Sequence, residues 1–318
     1  MVPSVGSSST DLCAIGNLMT LPNFLVIGVS KGGTTSVYHY LKQHPQVFMS
    51  PIKETNFFVY DGRNPLVIRQ RPNRFPVKTL HEFGALFATV SGEKAIGEAS
   101  PLYLTDSVAA MQIRHHIPRA KLIAILRDPA DRAYSDYAMG VRDRMDSRSF
   151  AEAIADEERQ GFEESREFSP RHYVRPGFYA RQLKHYFQLF ERSQIAVYLF
   201  DDLQADAVGF MRTLFHFLRV DEDFVPDASL RHNPSAPPQN KLLRPLLRKS
   251  ALTCTVKRLL PEPLGRRAVA LQLALRNRTQ VEQSSIPSDL RRKLVGLYRQ
   301  DILELQDLIQ RDLSRWLA

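Results

Sequence analysis

The amino-acid sequence predicts an α/β fold in which a central, mainly parallel sheet lies between two layers of helices. Apolar runs alternate with helical patterns along the chain, and this alternation is typical of parallel sheets. A glycine-rich turn joins the first apolar run directly to a helix. With 318 residues and 43% hydrophobic side chains, the chain can bury a full core. We expect the loops after the strands to meet along one edge of the sheet.

The candidate strands are five apolar runs, at residues 24–29, 47–49, 95–98, 121–126 and 195–200. The candidate helices lie between and after them, at residues 34–43, 107–116, 132–141, 178–190 and 202–218. A long C-terminal helix is predicted to begin near Pro287. Its apolar residues recur at three- and four-residue steps, which indicates packing against the core. They are Ile302, Leu305, Ile309, Leu313 and Trp316.

The chain is predicted to form a single domain over residues 21–318, preceded by a flexible, serine-rich tail of residues 1–20. A polar segment of mixed charge near residues 142–176 is predicted to be an inserted lid over that domain. The proline-rich stretch 233–238 indicates a loop, and a basic helical segment follows it.

The composition limits the classes of protein to which the chain can belong. The formal net charge is +9, which suggests anionic ligands, although a basic excess also serves solubility. No RNA-binding or helix-turn-helix motif accompanies that charge, so we expect no nucleic-acid partner. The two cysteines, Cys13 and Cys254, form no disulfide framework. The sequence contains no signal for the oligomeric state.

Residues 1–20 lack the basic start and the continuous apolar core of a signal peptide. No run approaches the roughly 20 apolar residues that a membrane helix needs. We therefore expect a soluble, cytoplasmic protein without an integral membrane span, which can still meet a substrate at a membrane face.

The segment 23–35, which reads NFLVIGVSKGGTT, predicts a cradle for an anion. A strand, a glycine loop and a helix start follow one another, so free backbone N–H groups and the positive end of the helix dipole point into one volume. Gly28 and Gly33, followed by Thr34, have nearly the spacing of the ATP-binding P-loop. However, Thr34 stands where that motif has its lysine, and Lys31 lies inside the loop. The fold is therefore P-loop-like, and the loop suits a phosphate-like group other than the usual Mg-nucleotide.

A second candidate anion site follows the fourth apolar run, at Arg127. A guanidinium that leaves a strand edge can grip one phosphate through a fork, together with the hydroxyl of Ser135 eight residues later. Asp128 and Pro129 are equally typical of a helix start, so this segment also has a purely structural interpretation.

Two glutamates are candidates for a general base. Glu54 follows the second strand in the motif Lys53-Glu54-Thr55-Asn56-Phe57-Phe58, and Glu98 ends the third strand. Glu54 could otherwise be a solvated surface residue, and the position of Glu98 also suits a structural hydrogen bond. The histidines lack the spacing of metal ligands, so no metal site is predicted; they include His115, His116 and His232. There is no Gly-x-Ser-x-Gly motif, which argues against covalent hydrolase chemistry.

These motifs resemble those of the sulfotransferases that use 3′-phosphoadenosine-5′-phosphosulfate (PAPS). The resemblance is to the carbohydrate type, which includes heparan sulfate sulfotransferases and their bacterial relatives. Residues 28–35 are similar to the 5′-phosphosulfate loop of that family, and residues 126–137 to its 3′-phosphate segment. Similar segments at 177–183, 197–203 and 311–316 extend the resemblance from about Pro22 to the C-terminus.

The resemblance implies a role for each candidate residue. Lys31 would contact the sulfate-bearing phosphate and assist the leaving group, and Glu54 would be the catalytic base. The other donor-binding positions would be Gly32, Gly33, Thr34 and Thr35 in the loop, with Arg127 and Ser135 at the 3′-phosphate. The product would be adenosine 3′,5′-bisphosphate, no metal would be required, and residues 233–244 would close over the nucleotide. Ala99 stands where heparan-type enzymes carry a lysine, which weakens the case for a heparan-like polymer acceptor.

The predicted activity is transfer of a sulfuryl group from PAPS to a hydroxyl or amine of a glycan, a glycolipid or a glycosylated small molecule. A phenolic, steroid or lipid acceptor is the alternative within this class. A P-loop kinase and a non-catalytic anion-binding protein are the alternatives outside it. Aromatic side chains are expected on the acceptor side, where they could pack on a sugar ring. They are Phe57, Phe58, Tyr60, Tyr103 and Tyr173.

Overall fold

Five parallel strands form a central sheet in the order β2-β3-β1-β4-β5. The computed structural model describes residues 19–60, 75–162, 172–228 and 286–318 of the chain. The strands are β1 (Phe24–Gly28), β2 (Val47–Met49), β3 (Ala95–Ala99), β4 (Lys121–Leu126) and β5 (Ile195–Leu199). The predicted parallel sheet is thereby confirmed. The proposed loop 233–244, His232 and both cysteines lie outside the described residues.

Ten helices surround this sheet in the described ranges. The first five are α1 (Thr34–Leu41), α2 (Leu80–Ala85), α3 (Leu102–Thr105), α4 (Ser107–His116) and α5 (Pro129–Arg142). The second five are α6 (Phe150–Gln160), α7 (Tyr179–Leu189), α8 (Phe200–Ala205), α9 (Ala207–Leu218) and α10 (Ser288–Ile309). Short 3₁₀ turns lie at Phe57–Val59, Arg175–Gly177, Arg192–Gln194 and Ser314–Leu317.

The strands divide their side chains between two hydrophobic cores, one on each face of the sheet. On β1, Leu25 and Ile27 belong to the first core, whereas Phe24 and Val26 belong to the second. This alternation follows from the two-residue period of a strand, and all of β1 is buried because helices cover both faces. Residues of α4, α5, α6, α7 and α10 fill the first core, and residues of α1 and α9 fill the second. The expected three-layer architecture is confirmed.

The neighbouring strands β1 and β4 send their next helices to opposite faces of the sheet. Helix α1 packs in the second core and α5 packs in the first. A crevice opens at the carboxyl ends of two adjacent strands where the chain diverges in this way, and α/β proteins bind ligands there. Both predicted anion sites, which follow β1 and β4, lie at this position of the sheet.

The segment predicted as a lid contains a helix that belongs to the core. Phe150, Ala153 and Ile154 of α6 are buried in the first core, and Ser149 and Glu152 form a capping box at its start. The buried Glu157 carboxylate accepts hydrogen bonds at 3.0 Å from the backbone N–H groups of Val174 and Arg175. The described part of this segment is therefore anchored, and its function as a lid stays a prediction.

Helix α10 contributes the apolar stripe that was predicted for the C-terminus. Leu294, Tyr298, Ile302 and Leu305 are buried in the first core, as is Trp316 beyond the helix end. The stripe is core packing, as the spacing indicated. None of the helices in the described ranges is both long and apolar enough to cross a membrane.

Candidate active site

Two positions in the loop between β1 and α1 require glycine, one because the loop packs closely against the backbone of β4 and the other because of its φ angle. The N–H of Val29 donates to the carbonyl of Ile125 on β4 at 2.9 Å, which fixes the loop against the neighbouring strand. A Cβ atom on Gly32 would lie 2.4 Å from that same carbonyl oxygen. Gly33 has a φ of +89°, in the left-handed region that favours glycine.

The start of α1 suits a bound anion. The helix begins at Thr34, and its first turn carries no acidic side chain that would offset the positive end of the helix dipole. Thr34 is buried beneath the loop and Thr35 is half-buried at its edge. Free N–H groups at a helix start that follows a glycine loop are typical of phosphate sites, and binding of a phosphosulfate here stays a prediction.

Lys31 is held toward α5 from the middle of this loop. Its backbone is left-handed, with a φ of 69°, and its Nζ lies 3.9 Å from Sδ of Met139. Burial lowers the pKa of Lys31 from its ordinary value, and the nearby Asp136 carboxylate opposes that effect. The ammonium is therefore partly removed from water, where its field acts on a ligand with less screening.

Arg127 connects the end of β4 to the same loop. Its Nη1 donates to the backbone carbonyl of Lys31 at 3.4 Å, and its guanidinium lies 5.1 Å from the centre of the Phe200 ring. The hydroxyl of Tyr179 donates to the carbonyl of Arg127 at 2.9 Å. Two motifs that are about a hundred residues apart in the sequence thus meet in one crevice, as the sequence predicted.

At the start of α5, the capping residue is distinct from the residues that are proposed to bind the ligand. Oδ1 of Asp128 accepts hydrogen bonds from the N–H groups of Ala130 and Asp131 at 2.9 and 3.0 Å. Asp128 therefore has the capping role, which leaves Arg127 beside the crevice. Ser135 lies two turns further along α5 with a fully buried side chain. Its contact with a phosphate stays a prediction.

Glu54 is the accessible carboxylate of the two candidate bases. Its side chain is 54% exposed, and its Oε1 lies 2.5 Å from Nζ of Lys53. Its backbone is left-handed, with a φ of 63°, and its N–H donates to the carbonyl of Ala99 at 2.9 Å. The loop after β2 is therefore attached to the end of β3.

Glu98, the rival base, lies inside the protein with 0% of its surface exposed. Its Oε1 accepts hydrogen bonds from N–H and Oγ1 of Thr55, at 3.2 and 3.1 Å, and from Oγ of Ser100 at 2.6 Å. Burial raises the pKa of Glu98 to about 7, and these hydrogen bonds oppose the rise. A carboxyl enclosed in this way does not reach an acceptor from solvent.

The aromatic residues expected on the acceptor side are mostly core residues, so that expectation is wrong. Phe57 and Phe58 pack on Phe83, with ring centres 4.6 and 5.3 Å apart. Tyr103 and Tyr173 are also buried. Of the five aromatic residues named, Tyr60 alone retains partial exposure. The sequence could not show this because Phe83, the partner of both phenylalanines, lies 25 residues further along the chain.

A cavity of about 400 Å³ lies at the end of α5, where the sequence predicted no pocket. Its lining residues are Val141, Arg144, Met145, Asp146, Ser147 and Arg148. Arg148 is neutralised by Asp146 and Asp156, each at 2.6 Å, whereas Arg144 forms no ion pair within the described ranges. The signal in the sequence was the cluster of arginines, which lies at and just beyond the end of the helix whose Met139 contacts Lys31.

Arg291 of α10 is a second residue that the sequence analysis missed. Its guanidinium binds Asp128 at 2.8 Å and Asp131 at 3.0 Å, so it joins the C-terminal helix to the start of α5. Asp128 directly follows Arg127, and Asp131 lies three residues further on. No local pattern could reveal this pairing, because the partners are 160 or more residues apart.

Comparison with known proteins identifies the family. A model of the sulfotransferase domain matches residues 21–250. Carbohydrate sulfotransferase 15 from Mus musculus is 28% identical over 257 residues, which are 64% of this chain and 44% of that protein. The bifunctional heparan sulfate N-deacetylase/N-sulfotransferase from Drosophila melanogaster is 28% identical over 221 residues, which are 64% and 20%. A sulfotransferase structure from Alicyclobacillus acidocaldarius superposes with a TM-score of 0.69 at 30% identity, covering 94% of this chain and 100% of that chain.

The chain therefore belongs to the sulfotransferase domain family. The resemblance to the carbohydrate and heparan sulfate branch is confirmed, as is the resemblance to a bacterial member. The chain spans less than half the length of the two curated relatives named above.

Proposed function

We propose that the protein is a sulfotransferase that moves a sulfuryl group from PAPS to a hydroxyl or amine of an acceptor. One observation carries this proposal: Arg127 and Lys31 meet in the crevice between β1 and β4, with Nη1 of Arg127 3.4 Å from the Lys31 carbonyl. PAPS carries phosphate groups at two ends of one nucleoside, and two joined cationic sites suit such a donor. Membership of the sulfotransferase domain family supports the same donor.

The donor would be held at both ends of the crevice. Its 5′-phosphosulfate would lie on the glycine loop and the start of α1, bound by Lys31, Gly32, Gly33, Thr34 and Thr35. Its 3′-phosphate would lie at the start of α5, where Arg127 provides a guanidinium fork and Ser135 a hydroxyl. The nucleotide would then bridge the helices that pack on opposite faces of the sheet.

Sulfuryl transfer, like phosphoryl transfer, requires in-line geometry and neutralisation of a spread charge. The acceptor oxygen would form a bond to sulfur while the bond from sulfur to the bridging phosphate oxygen breaks. Glu54 would take the proton of the acceptor hydroxyl. Lys31 would neutralise the charge that develops on the bridging oxygen, and adenosine 3′,5′-bisphosphate would leave. The loop N–H groups and Lys31 provide positive charge, so the proposal needs no metal.

A P-loop kinase is less consistent with the same residues. The side chain of Thr34 stands at the position of the nucleotide-binding lysine of the P-loop motif, and Arg127 rather than an aspartate follows β4. A non-catalytic anion-binding protein would use the cations Lys31 and Arg127 but would not need the accessible carboxylate of Glu54. A fold alone does not prove an activity, so both alternatives are outcomes of the experiment below.

We expect adenosine 3′,5′-bisphosphate to raise the melting temperature of the protein in the presence of EDTA, because the ligand binds the folded state. ATP with Mg²⁺ is the matched comparison, and its shift should be much smaller. Transfer of sulfate from PAPS, measured with the same preparation, tests the reaction itself. A larger shift with Mg-ATP would favour the kinase, and binding of the bisphosphate without transfer to any acceptor would favour the binding protein.

The acceptor is proposed to be a sugar hydroxyl on a glycan, a glycolipid or a glycosylated small molecule. The named relatives act on carbohydrates by their names, and the cavity at the end of α5 supports the same class. Its lining includes polar and charged side chains from residue 146 to 148, and Arg144 lies there without an ionic partner in the described ranges. Such a surface suits the hydroxyl groups of a sugar and an acidic substituent better than a steroid or a phenol ring. A cytoplasmic location, where this acceptor would be met, stays a prediction.

Acceptor classes are compared by sulfate transfer from PAPS to saccharides, glycolipids, phenols and steroids. We expect saccharides or glycolipids to react fastest. Arg144→Gln should lower kcat/KM about tenfold for an acceptor that carries a carboxylate or sulfate, since one charged hydrogen bond is lost. Arg119→Gln, an exposed arginine at the opposite edge of the sheet, is the matched control. Faster sulfation of phenols or steroids would overturn the sugar acceptor and leave the donor unaffected.

A further inference from the structure

The loop that carries Glu54 is attached to the end of β3 by three successive backbone N–H groups. All three donate to a segment of three residues at the end of that strand. The bonds run from Glu54 to the carbonyl of Ala99 at 2.9 Å, from Thr55 to Oε1 of Glu98 at 3.2 Å, and from Asn56 to Oγ of Ser100 at 3.0 Å. Every N–H group from 54 to 56 therefore depends on the positions of residues 98–100.

The carboxyl of Glu98 is the centre of this attachment. Its Oε1 also accepts from Oγ1 of Thr55 at 3.1 Å and from Oγ of Ser100 at 2.6 Å. Since Oγ of Ser100 in turn receives the N–H of Asn56, one carboxyl oxygen is itself one of the three acceptors and orients a second. Its Oε2 is buried and has no hydrogen-bond partner in the described part of the chain. The hydrogen bonds of the side chain are thus made by Thr55 of the loop and by Ser100, which in turn accepts from the loop.

The attached loop has a backbone conformation that needs support. Glu54 and Asn56 are both left-handed, with φ angles of 63° and 51°. Such angles cost residues other than glycine free energy, and they persist where surrounding contacts over-determine them. The three hydrogen bonds at residues 98–100 are contacts of that kind.

We infer that Glu98 is a positioning residue that holds the loop in this conformation, so that the carboxylate of Glu54 is presented to the acceptor. The inference rests on the proposed function of Glu54 as the base. Glu98 acts through Thr55 and Ser100, and it is enclosed away from the acceptor. A base 1 Å out of place costs turnover on the order of 10²-fold, so positioning and catalysis are separable by measurement.

The first test compares Glu98→Ala with Glu98→Gln. The alanine variant loses the acceptor of three hydrogen bonds, and we expect its kcat to fall by about 10- to 100-fold. The glutamine variant retains an acceptor oxygen, and its kcat should stay within about fivefold of wild type. Affinity for adenosine 3′,5′-bisphosphate should stay within about twofold in both variants, because the donor crevice is formed by other residues.

The second test measures hydrogen exchange at the N–H groups of residues 54–56. Exchange should be faster in Glu98→Ala and near wild type in Glu98→Gln. Asp206→Ala is the control for general destabilisation, because it removes a carboxylate that accepts from the N–H of Gly209 at 2.9 Å at the start of α9. That variant should have a lower melting temperature, whereas its kcat and the hydrogen exchange at residues 54–56 should be unchanged. If Glu98→Ala does not fold, Ser100→Ala removes the bond from Asn56 and the bond to Glu98 but leaves both bonds from Thr55 to Glu98, so it should show the same effects in weaker form.

Two results would overturn the inference. Equal loss of kcat in both Glu98 variants with unchanged exchange at residues 54–56 would make Glu98 the base. A lower melting temperature for Glu98→Ala with normal kcat per folded molecule would show that Glu98 has a purely structural role. Failure of the wild-type protein to bind the bisphosphate or to transfer sulfate would instead contradict the proposed function, and the exchange measurement would still report on the loop.

Discussion

Arg127 has a guanidinium that the fold holds in place before any ligand binds. Its guanidinium donates to the carbonyl of Lys31 and lies near the ring of Phe200, and its own backbone carbonyl accepts a hydrogen bond from the hydroxyl of Tyr179. A side chain that is already ordered loses little rotamer freedom on binding, so more of its interaction energy contributes to affinity.

Arg127→Ala should therefore weaken donor binding more than it lowers turnover. Loss of hydrogen bonds to a charged group costs about 1.5–3 kcal/mol, so we expect the Kd for adenosine 3′,5′-bisphosphate to rise by about 10- to 100-fold in calorimetric titration. The kcat at saturating PAPS should change less, since the contact exists in both the ground and the transition state. Arg127→Lys retains the charge without the fork and should be intermediate. An unchanged Kd in the alanine variant would remove Arg127 from the donor site.

Lys31 and Glu54 should show the opposite division between binding and turnover. Lys31→Ala and Glu54→Ala should each lower kcat by a factor on the order of 10² or more. Lys31 would act while charge develops on the leaving oxygen, and Glu54 would act while the proton is transferred, so both contribute in the transition state. Glu222→Ala, which removes an exposed carboxylate that follows α9 and pairs with His216, is the control in single-turnover measurements. Near-normal turnover of Glu54→Ala would contradict its assignment as the base.

Glu98 should make the stability of the protein depend on pH. Its pKa is about 7 in the folded state against an ordinary value of 4.5, so the folded state binds the proton more tightly than the unfolded state. The stabilisation is complete below pH 4.5 and is lost as pH rises through 7. Tyr38 and Tyr103 face this carboxyl, and burial raises the pKa of both hydroxyls, so neither titrates in that interval.

Denaturant titrations of wild type and Glu98→Gln at several pH values measure this effect. Relative to the glutamine variant, wild type should lose about 3 kcal/mol of unfolding free energy between pH 4.5 and 7.5, at about 1.4 kcal/mol for each pK unit. The difference between the two proteins isolates Glu98 from other titrating groups. Parallel stability curves would show that this carboxyl ionises normally in the folded protein.

At the scale of elements, α10 and α5 are joined at the point where the proposed 3′-phosphate site begins. Arg291 reaches from the first turn of α10 to Asp128 and Asp131, and the side chain of Asp128 is only 9% exposed. The pair therefore lies at the edge of the first core, where removal of one partner leaves a poorly hydrated charge.

Arg291→Ala should lower the unfolding free energy by about 1–2 kcal/mol, a value reduced from that of a fully buried pair because Arg291 is partly exposed. Lys293→Ala is the matched control on the same helix, since in its ion pair with Glu158 the lysine is exposed and the glutamate is partly exposed. That variant should change stability by less than about 0.5 kcal/mol. Equal effects of the two substitutions in urea titrations would show that Arg291 contributes only as a surface charge.

At the scale of the whole molecule, the proposed donor site lies between two cores that share only the sheet. Helix α1 belongs to one core and α5 to the other, and the loop bonds from Val29 to Ile125 and from Arg127 to Lys31 join them. A nucleotide in the crevice would add a further connection between the layers, which is why its effect on the melting temperature is the readout for the proposed function.

The sequence predicted those parts of this arrangement that depend on local patterns. The glycine spacing around Lys31 and the strand that ends at Arg127 are local, and the order of loops at a parallel sheet edge then brings them together. The 22-residue helix α10 was predicted from its apolar period. Helix α6 was missed because its apolar face is short, formed by Phe150, Ala153 and Ile154 within a highly charged segment.

Features that depend on distant partners were beyond sequence reasoning. Phe57 and Phe58 have the composition of an acceptor surface, and only the position of Phe83 makes them core residues. Glu54 was the predicted base and Glu98 its rival, and only the fold shows that Glu54 is exposed and Glu98 enclosed. In each case the deciding quantity was burial, which is set by tertiary packing rather than by neighbours in the chain.

The left-handed backbone at Lys31 implies a conflict between activity and stability within the loop. A side chain in that conformation costs about 1–2 kcal/mol, whereas glycine adopts it without steric strain. Lys31→Gly should therefore melt at a higher temperature than Lys31→Ala, although neither variant supplies the ammonium. If so, the loop would be more stable without the residue that gives it chemistry, and a screen for thermostable variants would be expected to select inactive ones at this position.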